Sequence, residues 1–128
     1  MRKGFTIIEL VVSVSILIIA VFAINNLLTQ GVSAARRSEK LTVAVNLAQA
    51  QIETILSEQY TNLPVGTYEA RHVVFQNYYR KTLISFIDPA TLQTITTDLG
   101  LKKVNTTVYY QIPGKEKSYT LSTIITQQ

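Results

Sequence analysis

The chain has 128 residues, a formal net charge of +4 from 12 Lys+Arg against 8 Asp+Glu, a single histidine and no cysteine. That length leaves room for one small domain beside any membrane segment. The missing cysteines exclude a disulfide framework and thiolate metal sites, and the single histidine excludes multi-histidine metal centres and His/Cys dyads.

The N-terminus opens on a basic pair, Arg2-Lys3, followed by Gly4, Phe5, Thr6, Ile7, Ile8 and Glu9. An apolar run then continues to about Leu28, and no charged residue falls between Glu9 and Arg36. As helix, at about 1.5 Å per residue, the stretch from Phe5 to Leu28 spans about 36 Å, enough to cross a hydrocarbon core of about 30 Å. A single segment in that layer must pair its own backbone groups, which leaves a helix as its form. A secretory signal peptide is the competing reading. Against it stand the length of the run, the poor match to a small-x-small cleavage site at its end, and an acid at its start.

Glu9 fits two accounts. Thr6-x-x-Glu9 has the spacing of a capping box, Phe5 and Leu10 sit where a hydrophobic staple belongs, and a carboxylate is favourable at the positive end of the helix dipole. Alternatively, a carboxylate in an apolar segment costs about 3 kcal/mol unless it has a partner. A cut between Gly4 and Phe5 would free a cationic amine for it, on its own chain or a neighbour's.

Arg2-Lys3-Gly4-Phe5-Thr6-Ile7-Ile8-Glu9, with the apolar run behind it, resembles the leader of type IV prepilins and type II secretion pseudopilins. The resemblance implies that prepilin peptidase recognises Arg2, Lys3 and Gly4, cuts between Gly4 and Phe5, and N-methylates Phe5. It implies that Glu9 then neutralises the Phe5 amine of an adjacent subunit and sets the axial register. The implied partners are other pilin or pseudopilin subunits, the peptidase, an inner-membrane assembly platform and, before assembly, membrane lipid; no cofactor is implied. The implied location is a single pass of the inner (cytoplasmic) membrane, N-terminus cytoplasmic and C-terminal domain outside, and then a pilus or pseudopilus. Charge alone does not orient the segment, because Arg36, Arg37 and Lys40 lie on its far side. With Arg2 and Lys3 in the leader, the remaining side-chain balance is 4 − 2 = +2, weak ground for a nucleic-acid partner.

The helix is expected to continue past the membrane to about Gln59, with a bend allowed near Asn25-Asn26 or Gly31, giving a rod of about 80 Å. From Leu41, apolar positions at Ala44, Val45, Ala48, Ile52, Ile55 and Leu56 mark one face. Arg37, Lys40, Asn46, Gln49, Glu53 and Ser57 are assigned to the other. Pro64 and Gly66 end the helix. Strands are predicted from Thr67 to about Phe75, Tyr78 to Ile87, Leu101 to Ile112 and Ser118 to Thr126. A loop runs from Asp88-Pro89 to Gly100, and Pro113 to Lys117 forms a turn. In the third strand, Val104, Thr106, Val108, Tyr110 and Ile112 share a face; in the fourth, Tyr119, Leu121, Thr123 and Ile125 do.

The expected class is therefore α+β: a long N-terminal helix, membrane-spanning in its first half and amphipathic in its second, packed on a small antiparallel sheet of three to four strands. The expected division is 1–4 leader, 5–28 membrane or filament-core helix, 29–60 amphipathic helix and 61–128 sheet domain. The segment Leu47 to Glu53 and the paired strands around Lys102-Lys103-Val104 and Tyr119 to Thr123 are similar to PilV-type minor pilins and the minor pseudopilin I of type II secretion. The absence of proline before Pro64 also favours a minor over a major subunit, with priming of assembly at the tip as its implied role.

No catalytic constellation is found. His72 on a strand reads as structural or solvated. Glu53 and Glu58 are five apart on the helix and share no face. Asp88 and Asp98 bracket a loop, but two carboxylates are too few oxygens for calcium. Arg71, Arg80, Lys81, Lys102, Lys103, Lys115 and Lys117 lie among tyrosines. One reading is a DNA-binding surface of a DNA-uptake pilin; the other is the solvated face and turn of an exposed sheet. Beside the filament subunit, a single-pass membrane-anchored binding module stands as the alternative function.

Overall fold

A computed structural model of the chain describes residues 6–70 and 77–127 and the backbone of Arg71. Helix α1 runs from Ile7 to Ser57 without interruption. No proline precedes Pro64, so no backbone donor is missing from the ladder. The helix passes straight through Asn25, Asn26 and Gly31 as regular helix. It ends two residues before the expected Gln59. Glu58 N–H donates to the Ile55 carbonyl at 3.2 Å, and a 3-10 turn over Tyr60–Asn62 follows.

The chain forms two compact units, residues 1–38 and 39–128. In the first, helical residues from Ile7 to Val32 leave their large apolar side chains exposed, for example Ile7 84%, Ile19 69% and Leu27 69%. In the second, helix residues 39–57 pack on an antiparallel sheet. Its strands are β1 (Gly66–Arg71), β2 (Tyr78–Ile87), β3 (Thr94–Ile95), β4 (Leu101–Ile112) and β5 (Lys115–Thr126). The order across the sheet is β1-β2-β4-β5, with β3 pairing the end of β2. The fold is thus the expected α+β layout of a long apolar N-terminal helix and a small antiparallel sheet.

The contact between α1 and the sheet is built from small and branched residues. Ala44 and Ala48 meet Val108 and Tyr110, with Leu47, Tyr78, Ile112, Tyr119 and Leu121 around them. Farther along, Ile55 and Leu63 meet Ile84, Val104 and Ile125. Val104 and Val108 are fully buried, and burial of a side chain of that size stabilises by about 1.5–3 kcal/mol. The alternation of β4 is as expected, with Val104, Thr106, Val108 and Tyr110 buried toward the helix. In β5, Tyr119, Leu121, Thr123 and Ile125 are half-buried and their neighbours are exposed.

The structure corrects several positions. Leu41 and Leu56, assigned to the packing face, are 42% and 52% exposed. Leu56 is turned about 100° from Ile55 on the helix, and Leu41 lies at the margin where α1 enters the domain. Lys40, assigned to the opposite face, turns to the sheet instead: its Nζ donates to the Gln111 carbonyl, and its own carbonyl accepts from the Tyr78 hydroxyl at 3.3 Å. The expected turn from Pro113 to Lys117 shrinks to Pro113-Gly114, and β5 begins at Lys115 rather than Ser118. Proline sets the first turn position and Gly114, at φ 78°, takes the left-handed second, the pairing of a type II turn. Charged Lys115, Glu116 and Lys117 therefore belong to the strand, in register with Ile112, Gln111 and Tyr110. The loop from Asp88 holds the short β3. Residues 72–75 of the first expected strand, and His72 with them, lie outside the described residues.

Candidate functional site

The N-terminal site begins with how the helix starts. Thr6 caps it: Glu9 N–H donates to Thr6 Oγ1 at 3.3 Å and to the Thr6 carbonyl at 3.1 Å, and Leu10 N–H donates to the same carbonyl at 3.2 Å. The bond to Thr6 Oγ1 comes from the Glu9 backbone and not from its carboxylate. Glu9 is the acidic residue of the first turn, and its side chain is exposed. Gly4 and Phe5, the expected cleavage pair, and Arg2 and Lys3, the expected recognition residues, lie outside the described residues. The pairing of Glu9 with Phe5 is outside them too.

Polar side chains farther along satisfy themselves on the helix. Ser13 Oγ donates to the Glu9 carbonyl and Ser15 Oγ to the Val11 carbonyl, both at 2.8 Å, and Thr29 Oγ1 donates to the Asn25 carbonyl at 2.9 Å. This is how hydroxyls are tolerated where water is absent. The helix is long and apolar enough to cross a membrane, and none of its apolar window is buried.

The domain carries two polar arrangements. The first is a buried clamp. Lys102 is 5% exposed. Its Nζ donates to the Tyr60 carbonyl at 2.7 Å and to the Leu63 carbonyl at 2.8 Å, and lies 4.0 Å from the Tyr60 ring centroid and 5.6 Å from that of Phe86. The Tyr60 hydroxyl donates to Asp98 Oδ1, which also accepts from Gly100 N–H at 2.8 Å. Burial, then the bond to Asp98 and its charge, push the Tyr60 hydroxyl up to about 12. The Tyr60 hydroxyl first, then Gly100 N–H and the charge of Lys102, hold the Asp98 carboxyl below its usual range. The clamp ties the end of α1 and the loop before β4 to the sheet, with no cysteine in the chain to do so. Lys102 is thus not part of a solvated face, as a set of basic residues among tyrosines implied. The available signal was phase: Lys102 lies in step with Val104, Thr106 and Val108 on the buried side of β4.

The second arrangement lies on the opposite face of the sheet. Tyr79 and Tyr109 lie with centroids 5.8 Å apart. With Glu69, Asn77, Gln111, Glu116 and, from the helix side, Tyr78 and Tyr110, they line a groove of about 580 Å³ at the end of β2 and β4. Glu69 accepts from Lys81 at 3.2 Å; the Tyr79 hydroxyl first, then Lys81, hold its carboxyl low. The same face carries cross-strand pairs Thr107–Thr120 at 2.9 Å and Ser122–Asn105 at 2.7 Å. The other basic residues are dispersed. Arg80 is half-buried on the helix side, and burial lowers its guanidinium. Lys81 is paired with Glu69, Lys115 and Lys117 are at the hairpin tip, and Lys103 is on the open face.

Asp88 is used within its own loop, where its carboxylate accepts from Ala90 N–H at 2.8 Å and from the Thr91 hydroxyl at 3.1 Å. Among the described residues, no group of three or more His, Cys, Asp or Glu could hold a metal ion. No family model matches the chain, and no curated protein or solved structure matches it either.

Proposed function

We propose that the chain is a minor pilin or pseudopilin. In this reading it is a structural subunit, not an enzyme, whose first helical half rests in the membrane and then enters a filament core. The observation that carries the reading is the pairing of two features in one element. The apolar helix exposes its side chains all round, and a single carboxylate, Glu9, sits in its first turn. In an isolated anchor that acid has the helix dipole as its only charge partner, while the bond at Thr6 comes from the Glu9 backbone. A polymer in which each subunit brings a cationic Phe5 amine to a neighbour's Glu9 gains a partner for a costly charge and a fixed axial register.

Replacing Glu9 by Ala tests this. The variant is expected to insert into membranes and fold its domain as before, and to be missing from filaments. Normal incorporation of Glu9→Ala would overturn the register role. The groove beside Tyr79 and Tyr109 favours a second reading, a binding module displayed on a single membrane anchor. That reading requires an unprocessed N-terminus and no polymer.

A further inference from the structure

Strand order gives the sheet two free edges. Among the described residues β1 pairs only with β2, and β5 only with β4. Natural edges are commonly guarded by charge, proline or a bulge. From Ser118 to Thr126 the edge strand β5 carries no charge and no proline. It is rich in residues that favour strands, namely Tyr119, Thr120, Leu121, Thr123, Ile124 and Ile125. Both edges also expose apolar side chains. Val65 and Tyr68 are each 43% exposed at the β1 edge, and Ile124 is 46% and the nearby Leu56 52% exposed at the β5 edge. A groove of about 620 Å³ lies at the C-terminal end of β5, between Ile124, Ile125, Thr126 and Gln127 on one side and Leu56 and Glu58 to Thr61 on the other.

Strand direction says which partner fits. Each neighbouring pair along β1-β2-β4-β5 is antiparallel, so β1 and β5 run in opposite directions. Two copies held side by side in one orientation therefore bring β5 of one antiparallel to β1 of the next. We infer that this chain associates with a second copy of itself by such edge pairing, β5 to β1, extending one sheet across subunits. The shared orientation rests on the filament-subunit reading, in which copies stand in one membrane.

Register follows from the sheet itself. Gly66 is level with Ile84, Val104 and Thr123, and Ala70 with Arg80, Val108 and Tyr119. With no stagger between copies, Tyr68 meets Leu121 on the helix side, while Thr67 meets Ser122 and Glu69 meets Thr120 on the open side. Faces are preserved and no like charges oppose each other. Homotypic pairing fits worse. An antiparallel β5–β5 pair reverses one copy, against a common anchor. A two-fold along the strands sets the pleats out of phase. A β5–β1 contact is head-to-tail and open-ended, the kind that continues along a polymer.

The chain has no cysteine of its own, so introduced ones report the contact alone. Thr67→Cys and Ser122→Cys both replace exposed residues. Within one chain they stand three strand spacings apart, about 14 Å, too far for a bridge. Across the inferred edge their Cα atoms would be about 4.5–5.5 Å apart, within disulfide reach. Under mild oxidation of the full chain in membranes or filaments, the double variant should convert from monomer to a ladder of disulfide-linked multimers. A mixture of the two single variants should stop at a mixed dimer, and each alone should stay monomeric. A double variant that stays monomeric overturns the inference, and so does a Ser122→Cys homodimer. The N-terminus of the same samples, read by mass, separates the two ideas. A chain processed at Phe5 without the ladder leaves the filament reading standing alone. A ladder from an unprocessed chain keeps the edge contact and removes the filament.

Discussion

The two stretches of α1 solve opposite problems with the same backbone. Between Ile7 and Val32 large apolar side chains face outward on every side. Between Glu39 and Ser57 only Ala44, Ala48, Ile52 and Ile55 are buried, against one sheet. The first stretch has no core of its own and is long and apolar enough to cross a membrane. The second has a narrow stripe, two of its four members alanine, which lets helix and sheet backbones come close. Apolar content alone does not separate a membrane helix from a packing helix; the angular spread of that content does.

The sharpest way to break this contrast is a charge placed in each stretch. Ala20→Arg puts a guanidinium in the middle of the apolar run at a cost of about 2.5–3.5 kcal/mol. The large apolar residues of the run outweigh that cost on the same scale, so the fraction of chain inserted should fall without vanishing, while the thermal unfolding of the domain is unchanged. Asn46→Arg, on an exposed position of the second stretch, should change neither membrane retention nor melting.

The clamp comes next in expected effect. Lys102→Met keeps the stem but strands the Tyr60 and Leu63 carbonyls, a loss of about 2 kcal/mol. For a domain of this size that corresponds to a fall of about 10 °C in Tm, read by circular dichroism, with membrane retention unaffected. A comparable cost is expected at the helix–sheet contact. Ala48→Leu overfills a fully buried position and should destabilise by about 1–3 kcal/mol. Ala20→Leu, in the stretch with no core, should leave domain stability unchanged.

The smallest effects are in pH. The native Asp98 carboxyl binds its proton more weakly than the unfolded one. Below about pH 4 the unfolded chain therefore takes up more protons, and stability is lost as pH falls. Tyr60 acts at the other end. Its hydroxyl, raised from 10.0 to about 12, stays protonated while the unfolded chain ionises, so stability is lost as pH rises across that interval. Tyr60→Phe should flatten the alkaline limb and weaken the acid one in denaturant titrations at fixed temperature.

How much of this was legible depended on whether the signal was periodic. The limits of β2, Tyr78–Ile87, followed from its aromatic and branched residues, and those of β4, Leu101–Ile112, from clean alternation, with Asp, Pro and Gly as punctuation. The start of β5 did not, because Lys115-Glu116-Lys117 has turn composition, and only cross-strand pairing to Gln111 and Tyr110 makes it strand. Lys102 was hidden by its type: a lysine reads as solvated until tertiary structure supplies two carbonyls and two rings. Lys40 was hidden in the same way by the Gln111 carbonyl. At the N-terminus the order was reversed. Thr6, Glu9 and the apolar run were plain in the sequence, and the Thr6 cap is present. The role of Glu9 depends on chemistry at Phe5 that no packing pattern encodes.

The most direct test is the intact mass of the polypeptide recovered from its native membrane or filament. The account predicts a chain that begins at Phe5 and carries one added methyl group on its amine. A chain that retains Met1, or one that begins beyond residue 20, would contradict it.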